Sequence, residues 1–95
     1  MLQLELDLTQ EQAELEDILR SVCKTQDDLV QFDFLREGKT IIRHQPRERV
    51  WTKITDGAWS KDDVQALIRH GLIHKVGQSA MGWEIRPRPE LIGAL

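Results

Sequence analysis

Cysteine is almost absent from the chain, since Cys23 is the only one among 95 residues. A single cysteine excludes an internal disulfide and a cysteine-rich zinc site, so the composition favours a reducing compartment. No apolar run approaches the roughly 20 residues of a membrane-spanning helix. Met1 to Leu8 carries acids but no bases, unlike a signal peptide. We therefore expect a cytoplasmic protein.

Several chemical signatures are also missing. The stretch Gly77 to Gly82 has neither the lysine nor the following helix that a phosphate-binding loop needs. His70 and His74 are four positions apart, but Gly71 ends the helix between them, which disfavours a metal site. Cys23 has no paired histidine motif, so an inert thiol is expected. The sequence thus predicts a protein that is not an enzyme and has no cofactor or metal.

The length of 95 residues fits a single domain with one modest core. Charge is unevenly distributed along it. Residues 1–37 hold ten acids and three bases, whereas residues 38–95 hold six acids and ten bases, so the net charge of −3 divides into −7 and +4. This asymmetry indicates two surfaces with different partners, or simply a solvated acidic helix face.

The first 24 residues predict a strand and a helix that extend the domain with acidic side chains. Leucines alternate with polar residues from Leu2 to Leu8, which is typical of a strand with one buried face. We expect this strand to join a sheet edge or to pair across a homodimer. Thr9 and Gln12 form a capping-box pattern, and the apolar stripe after them predicts a helix over 9–24.

A second helix is predicted over residues 26–37. Thr25 and Asp28 repeat the capping pattern, and an apolar stripe of three follows at Leu29, Phe32 and Leu35.

Residues 40–54 then predict a β-hairpin with Pro46 at its turn. The competing interpretation is a short helix over 47–54 that begins at Pro46. Strand-favouring side chains at Val50, Trp51 and Ile54 make the hairpin the preferred interpretation.

Ser60 begins the best-defined helix, over residues 60–70. Asp63 stands at the capping-box position, and Trp59 and Val64 flank the cap as a hydrophobic staple does. Residues 72–76 and 83–86 predict two strands around an uncharged loop, and prolines stop the second strand.

A family resemblance is carried by the run WSKDDVQALIRHGLIHKVGQSAMGWEIRP, residues 59–87. It resembles the second half of a winged-helix domain, in which a helix ends at a Gly-Leu-Ile turn, a strand follows, a small loop forms the wing and an aromatic strand returns. With the preceding TIIRHQPRERVWTKI, the run is similar to small phage- and plasmid-borne proteins. The resemblance implies an α+β, winged-helix-like fold of N-terminal helices, hairpin, helix and C-terminal β-wing. It also implies duplex DNA binding by a transcriptional regulator from a bacterium or mobile element.

Basic residues gather around the hairpin turn and along the outer face of the helix at 60–70. Such side chains neutralise phosphates, while amide and guanidinium groups on an exposed helix read base edges. An ordinary edge hairpin kept soluble by charge would show the same cluster. The predicted nucleic-acid interface consists of Arg43, Arg47, Arg49, Lys61, Gln65, Arg69 and Lys75.

The tryptophans allow two interpretations. An exposed tryptophan stacks on bases in proteins that bind single strands. Trp51, Trp59 and Trp83 also occupy periodic or capping positions, which favours core and staple roles.

An alternative function is a protein-binding module, such as a phage-type inhibitor. In this hypothesis the acidic helix face at Glu11, Glu14 and Asp17 docks a basic or nucleic-acid-binding partner, for instance a host nuclease complex.

Overall fold

The computed structural model describes residues 7–46, 50–80 and 82–93. The fold is α+β, as the sequence predicts. In chain order it comprises helix α1 (Gln10–Val22), strand β1 (Leu29–Phe34), a 3-10 turn (Arg36–Gly38), strands β2 (Thr40–Gln45) and β3 (Thr52–Gly57), helix α2 (Lys61–Arg69), strands β4 (Ile73–Gln78) and β5 (Gly82–Pro87), and helix α3 (Pro89–Ile92).

The five strands form one antiparallel sheet in the order β3-β2-β1-β5-β4. Strand β1 lies at the centre, where Phe32 faces Ile42 of β2 on one side and Trp83 of β5 on the other. Within the described residues, strands β3 and β4 are the two edges of the sheet.

All three described helices contribute buried side chains to one core, so they lie on the same face of the sheet. Because side chains alternate along a strand, Asp33 and Arg43 lie on the opposite face. The core consists of Leu15, Leu19, Cys23, Val30, Phe32, Ile42, Trp59, Val64, Leu67, Ile73, Ile85 and Leu91.

The start of α1 confirms the predicted helix and is tied to the start of α2. Thr9 caps α1 in a capping box with Gln12. The amide of Gln12 also donates to Asp63 Oδ1 at 3.1 Å, and Trp59 Nε1 donates to the carbonyl of Glu11 at 2.9 Å. Two side chains thus join the first turns of the two longer helices.

The helix predicted over 26–37 is wrong, because this segment holds the central strand β1. Val30 and Phe32 are fully buried on one side of the strand, whereas Leu35, which the helical spacing placed in a buried stripe, is exposed. Apolar residues in this segment fit a helical spacing of three, and they also fit the two-residue alternation of a strand. Alternation prevails because β1 must bury one face while pairing with strands on both sides.

The predicted hairpin at 40–54 is present as β2 and β3, which pair in antiparallel register. Residues 52–54 are strand, so the helical alternative is wrong there. Residues 47–49, and residues 1–6 of the N-terminal strand expected up to Leu8, lie outside the described part of the chain. Leu8, at the end of that expected strand, packs against the core.

The C-terminal third agrees with the sequence except at its end. The helix predicted over 60–70 is α2, and the following strands are β4 and β5. Pro89 does more than stop a strand, because it begins α3. Proline fits the first position of a helix, where an amide hydrogen would lack a helical partner in any case.

The unit of α2, β4 and β5 has the helix-then-hairpin order that the winged-helix resemblance implies. Its surroundings differ from the predicted arrangement in two ways. In the described part of the chain, α2 follows the β2–β3 hairpin as predicted, but a single α-helix, α1, precedes that hairpin instead of two. Strand β5 pairs with β1, so the hairpin is part of the five-stranded sheet.

Candidate nucleic-acid interface

Two of the residues predicted to bind nucleic acid, Lys61 and Lys75, each contact an aromatic ring of one groove. Lys61 is the first residue of α2, and Lys75 lies in β4, 14 positions later. Helix α2 packs against β4. Lys61 lines the groove, while Lys75 contacts Trp83 and Gln78, which also line it.

The groove opens beside the turn between β4 and β5 and has a volume of about 200 Å³. The amide of Ser79 donates to the carbonyl of Gly82 at 2.9 Å, and the amide of Gly82 donates to Ser79 Oγ at 3.3 Å. These bonds hold the turn closed next to the opening. The lining residues are Phe34, Lys61, Gln78, Ser79, Ala80, Gly82 and Trp83.

Two aromatic rings contact the two ammonium groups. The rings of Phe34 and Trp83 meet edge to face, with centroids 5.4 Å apart and an interplanar angle of 83°. Lys75 Nζ lies 4.4 Å from the Trp83 centroid, and Lys61 Nζ lies 5.8 Å from that of Phe34. Both distances are within the range of cation–π attraction. Lys75 Nζ also donates to Gln78 Oε1 at 2.7 Å.

Strand register explains why these rings are neighbours. Phe32 and Phe34 lie on the same side of β1, and Trp83 lies opposite Phe32 on the adjacent β5. Gly82 makes this approach possible. A Cβ there would lie 2.8 Å from the carbonyl carbon of Phe32 and 3.0 Å from Asp33 Cα, so any larger residue would force the strands apart.

Arg43 lies on the other face of the sheet. Its guanidinium forms an ion pair with the buried carboxylate of Asp33, which also accepts a hydrogen bond from Gln31 Nε2 at 2.8 Å. The carboxylate partly neutralises the charge of Arg43. The predicted interface is therefore divided, because its hairpin arginine and its groove lysines do not share a surface.

The remaining predicted residues are more widely spread. Gln65 and Arg69 lie about 6 and 12 Å from Lys61 along the axis of α2, at 1.5 Å per residue. Gln65 is half-buried and Arg69 is exposed. Arg47 and Arg49 lie outside the described residues.

The acidic face proposed for the alternative function is present on α1. Glu11, Glu14 and Asp17 are all exposed and follow one another at intervals of three residues. Glu16 differs from them, since its carboxylate forms an ion pair with Arg20 at 2.6 Å.

A buried polar cluster joins the end of α1 to β2. Asp28, which the sequence placed in the cap of a second helix, instead accepts hydrogen bonds from the amides of Lys24 at 2.6 Å and Thr25 at 2.9 Å. Its Oδ1 lies 3.3 Å from His44 Nε2, at ion-pair distance but without the angles of a hydrogen bond. Asp28 therefore closes the connection between α1 and β1.

The electrostatics of this cluster indicate a structural role. Burial raises the pKa of Asp28, but the amides of Thr25 and Lys24 and the imidazole of His44 lower it by more, so the pKa lies below its usual 3.8. Burial, helped by the Asp28 carboxylate, raises the pKa of the Cys23 thiol to about 12. Such a thiol is protonated at neutral pH and is a poor nucleophile.

No family model matches the chain, and neither a curated protein nor a solved structure is similar to it. Among the residues that the structure describes, histidine, cysteine and acidic side chains form no group of three or more that would hold a metal ion. None of the helices in that part of the chain is long and apolar enough to cross a membrane.

Phe34 is the aromatic residue of the groove that the sequence interpretation missed. It fell within the segment interpreted as a second helix, where it stood outside the apolar stripe. The alternation of Val30, Phe32 and Phe34 is the signal that identifies it as a core-facing strand residue. Trp83, which the sequence favoured as a core residue, is half-buried and lines the groove as well.

Proposed function

We propose that the protein is a small, non-enzymatic DNA-binding protein that contacts duplex DNA through Lys61 and Lys75. One observation carries this proposal: two lysines from separate elements each contact one of the two aromatic rings that line the same groove. Lysine side chains are flexible, and ordering them on binding costs entropy. The ring contacts reduce that cost because they hold both ammonium groups near one opening.

The acids at the start of α2 have unequal effects on this surface. Asp63 is occupied, since its Oδ2 accepts from the Ser60 amide at 2.9 Å and its Oδ1 accepts from Gln12. Asp62 is exposed and repels an approaching phosphate. Asp62→Asn should therefore strengthen DNA binding, and most clearly at low salt, where charges are least screened.

In this proposal α2 and the β4–β5 hairpin act as the helix and wing of a winged-helix-like reader. Gln65 and Arg69 extend the contact along α2 and provide amide and guanidinium groups, which read base edges. The protein then serves as a transcriptional regulator of bacterial or mobile-element origin.

The test is the salt dependence of binding to a labelled mixed-sequence duplex, measured by fluorescence anisotropy between about 50 and 200 mM salt. The variant with both Lys61→Gln and Lys75→Gln should show a salt slope lower by up to about 1.8, or 0.9 for each phosphate that is no longer neutralised. Lys24→Gln is the control, because Lys24 is exposed near Asp28, at the opposite end of the sheet.

Two results would count against the proposal. A wild-type protein without affinity at about 50 mM salt, where electrostatic binding is strong, would remove the DNA-binding function. Equal slopes for the wild type, the double variant and Lys24→Gln would remove Lys61 and Lys75 from the interface.

A second candidate function is favoured by the exposed acids of α1. Glu11, Glu14 and Asp17 repeat at a helical spacing that places them on one side of α1, where they present negative charge to a basic protein partner. Reversing all three to lysine should abolish capture of such a partner. In the same variant, DNA binding should strengthen or remain unchanged if the first proposal holds.

A further inference from the structure

The aromatic groove has the size of a site for one flat ring. Pockets for drug-sized ligands occupy about 300–1,000 Å³, whereas this groove has about 200 Å³. Among the described residues that line it, Phe34 and Trp83 provide aromatic rings. A planar, singly inserted ring is therefore the ligand shape that fits.

Charge at the groove indicates that the ring carries an anion. Ammonium groups lie over both rings, from Lys61 and from Lys75. A neutral ring that entered alone would displace these cations from the aromatic faces, and the ammonium groups would lose their cation–π contacts without gaining another interaction. A ring linked to a phosphate replaces each displaced cation–π interaction with an ion pair, so the lysines retain a partner at the rim.

Polar groups at the rim suit a nucleobase. Gln78 lines the opening, where its Oε1 accepts from Lys75 Nζ and its side-chain NH2 group can donate to a base edge. Side-chain amide groups hydrogen-bond the edges of bases. A ligand with a flat ring, a phosphate next to it and a polar ring edge is a nucleotide.

We propose that the groove binds an unpaired base of single-stranded DNA, stacked on the Trp83 ring at a right angle to the Phe34 ring, with the flanking phosphates on Lys61 and Lys75. This inference rests on the proposed DNA-binding function and adds binding of single-stranded DNA to the duplex contact proposed above. A paired base has both faces covered by its neighbours in the duplex, whereas an unpaired base presents a face for stacking. The protein therefore prefers single-stranded or locally opened DNA to closed duplex.

The experiment compares a short oligo-dT with a duplex of equal length, at equal salt, by fluorescence anisotropy. Trp83→Leu keeps an apolar side chain in the groove but removes the stacking surface. It should weaken oligo-dT binding about 5- to 150-fold, as loss of one base–aromatic stack does, and should leave duplex binding nearly unchanged. Trp51→Leu is the matched control, because Trp51 is exposed next to edge strand β3, far from the groove.

A second measurement needs no core substitution. In the wild-type protein, oligo-dT should shift the NMR signal of the Trp83 indole N–H, while that of Trp51 should stay in place. Thymidine monophosphate and oligo-rU are run alongside to identify the source of the base. A shift of equal size and midpoint with either of them would overturn the assignment to a DNA strand.

A failure of this inference can be told apart from a failure of the proposed function. Equal affinity for oligo-dT and duplex, with no Trp83 shift, would overturn this inference and leave the proposed function standing. Absence of binding to either DNA at about 50 mM salt would overturn both.

Discussion

Replacing Trp59 with alanine should remove a large share of the protein's stability. The side chain is 9% exposed, belongs to the core and donates from Nε1 to the carbonyl of Glu11 at 2.9 Å. Truncating a buried aromatic costs about 3–5 kcal/mol, of which the hydrogen bond accounts for roughly 1 kcal/mol. A domain of this length has a free energy of unfolding of roughly 5–14 kcal/mol.

Gly57 provides an independent check on the position of the Trp59 ring. A Cβ at Gly57 would lie 2.5 Å from Trp59 Cζ3 and 2.9 Å from Cε3. Gly57→Ala should therefore destabilise the wild type by about 1–3 kcal/mol, the usual cost of overpacking. In the Trp59→Ala background the ring is gone, so the same substitution should cost close to nothing.

Urea unfolding of the wild type, both single variants and the double variant measures this coupling. Far-ultraviolet circular dichroism is the appropriate signal, because the substitution itself changes tryptophan fluorescence. Trp51→Ala serves as the control and should cost far less, since Trp51 is 38% exposed. Additive effects of Gly57→Ala and Trp59→Ala, or a cost below about 1 kcal/mol for Trp59→Ala, would refute the packing described above.

Three further predictions concern single positions. Gly82→Ala should lower the free energy of unfolding, measured by urea titration, by about 1–3 kcal/mol or more, because the new Cβ would meet backbone atoms of β1. Gly77→Ala should be nearly neutral in the same assay, because its Cβ would meet only the end of the flexible Glu84 side chain. Asp28→Asn should lower the free energy of unfolding near neutral pH. The difference from the wild type should shrink as the pH falls from above 3.8 through the lowered pKa of the folded state, because protonation then removes the same charge from the wild type. A difference that stays constant with pH in urea titrations would contradict the lowered pKa. Cys23 should resist iodoacetamide in the native protein at pH 8 and should react in urea, because the thiol is buried and its pKa is raised to about 12. Mass spectrometry follows the labelling, and rapid labelling of the native protein would contradict the burial of Cys23.

Elements with strong local signals were predictable from the sequence. Helix α1 has its cap at Thr9, and α2 has Ser60 with Asp63, so both begin within a residue of the expected position. The two hairpins also followed from local patterns, because turn residues and β-branched runs lie close together in the chain. These features need no knowledge of the remaining fold.

The central strand β1 was not predictable in this way. Its segment carries a helical spacing at Leu29, Phe32 and Leu35 and an alternation at Val30, Phe32 and Phe34, and only its partners decide between them. Those partners are β2 on one side and β5, from the far end of the chain, on the other. Pairing between distant segments leaves no local signature.

The same limit applies to the candidate site. The sequence identified Lys61, Lys75 and Arg43 as basic residues, but the face of each depends on the order of strands in the sheet. The groove itself requires β1 and β5 to be adjacent, because Phe34 and Trp83 come from these two strands. The sequence therefore predicts which basic residues are present, but it does not predict which of them lie on the same face of the sheet.

The central claim is that DNA binds on the groove side of the sheet, and charge removal on the two faces tests it most directly. Lys61→Gln with Lys75→Gln removes charge at the groove, and Arg43→Gln removes it on the opposite face while keeping a hydrogen-bond donor near Asp33. Affinity for DNA is measured as a function of salt for both variants and the wild type. The groove variant should lose up to about 1.8 of the salt slope and the Arg43 variant should lose almost none. The reverse result, with the slope reduced by Arg43→Gln alone, would contradict the claim.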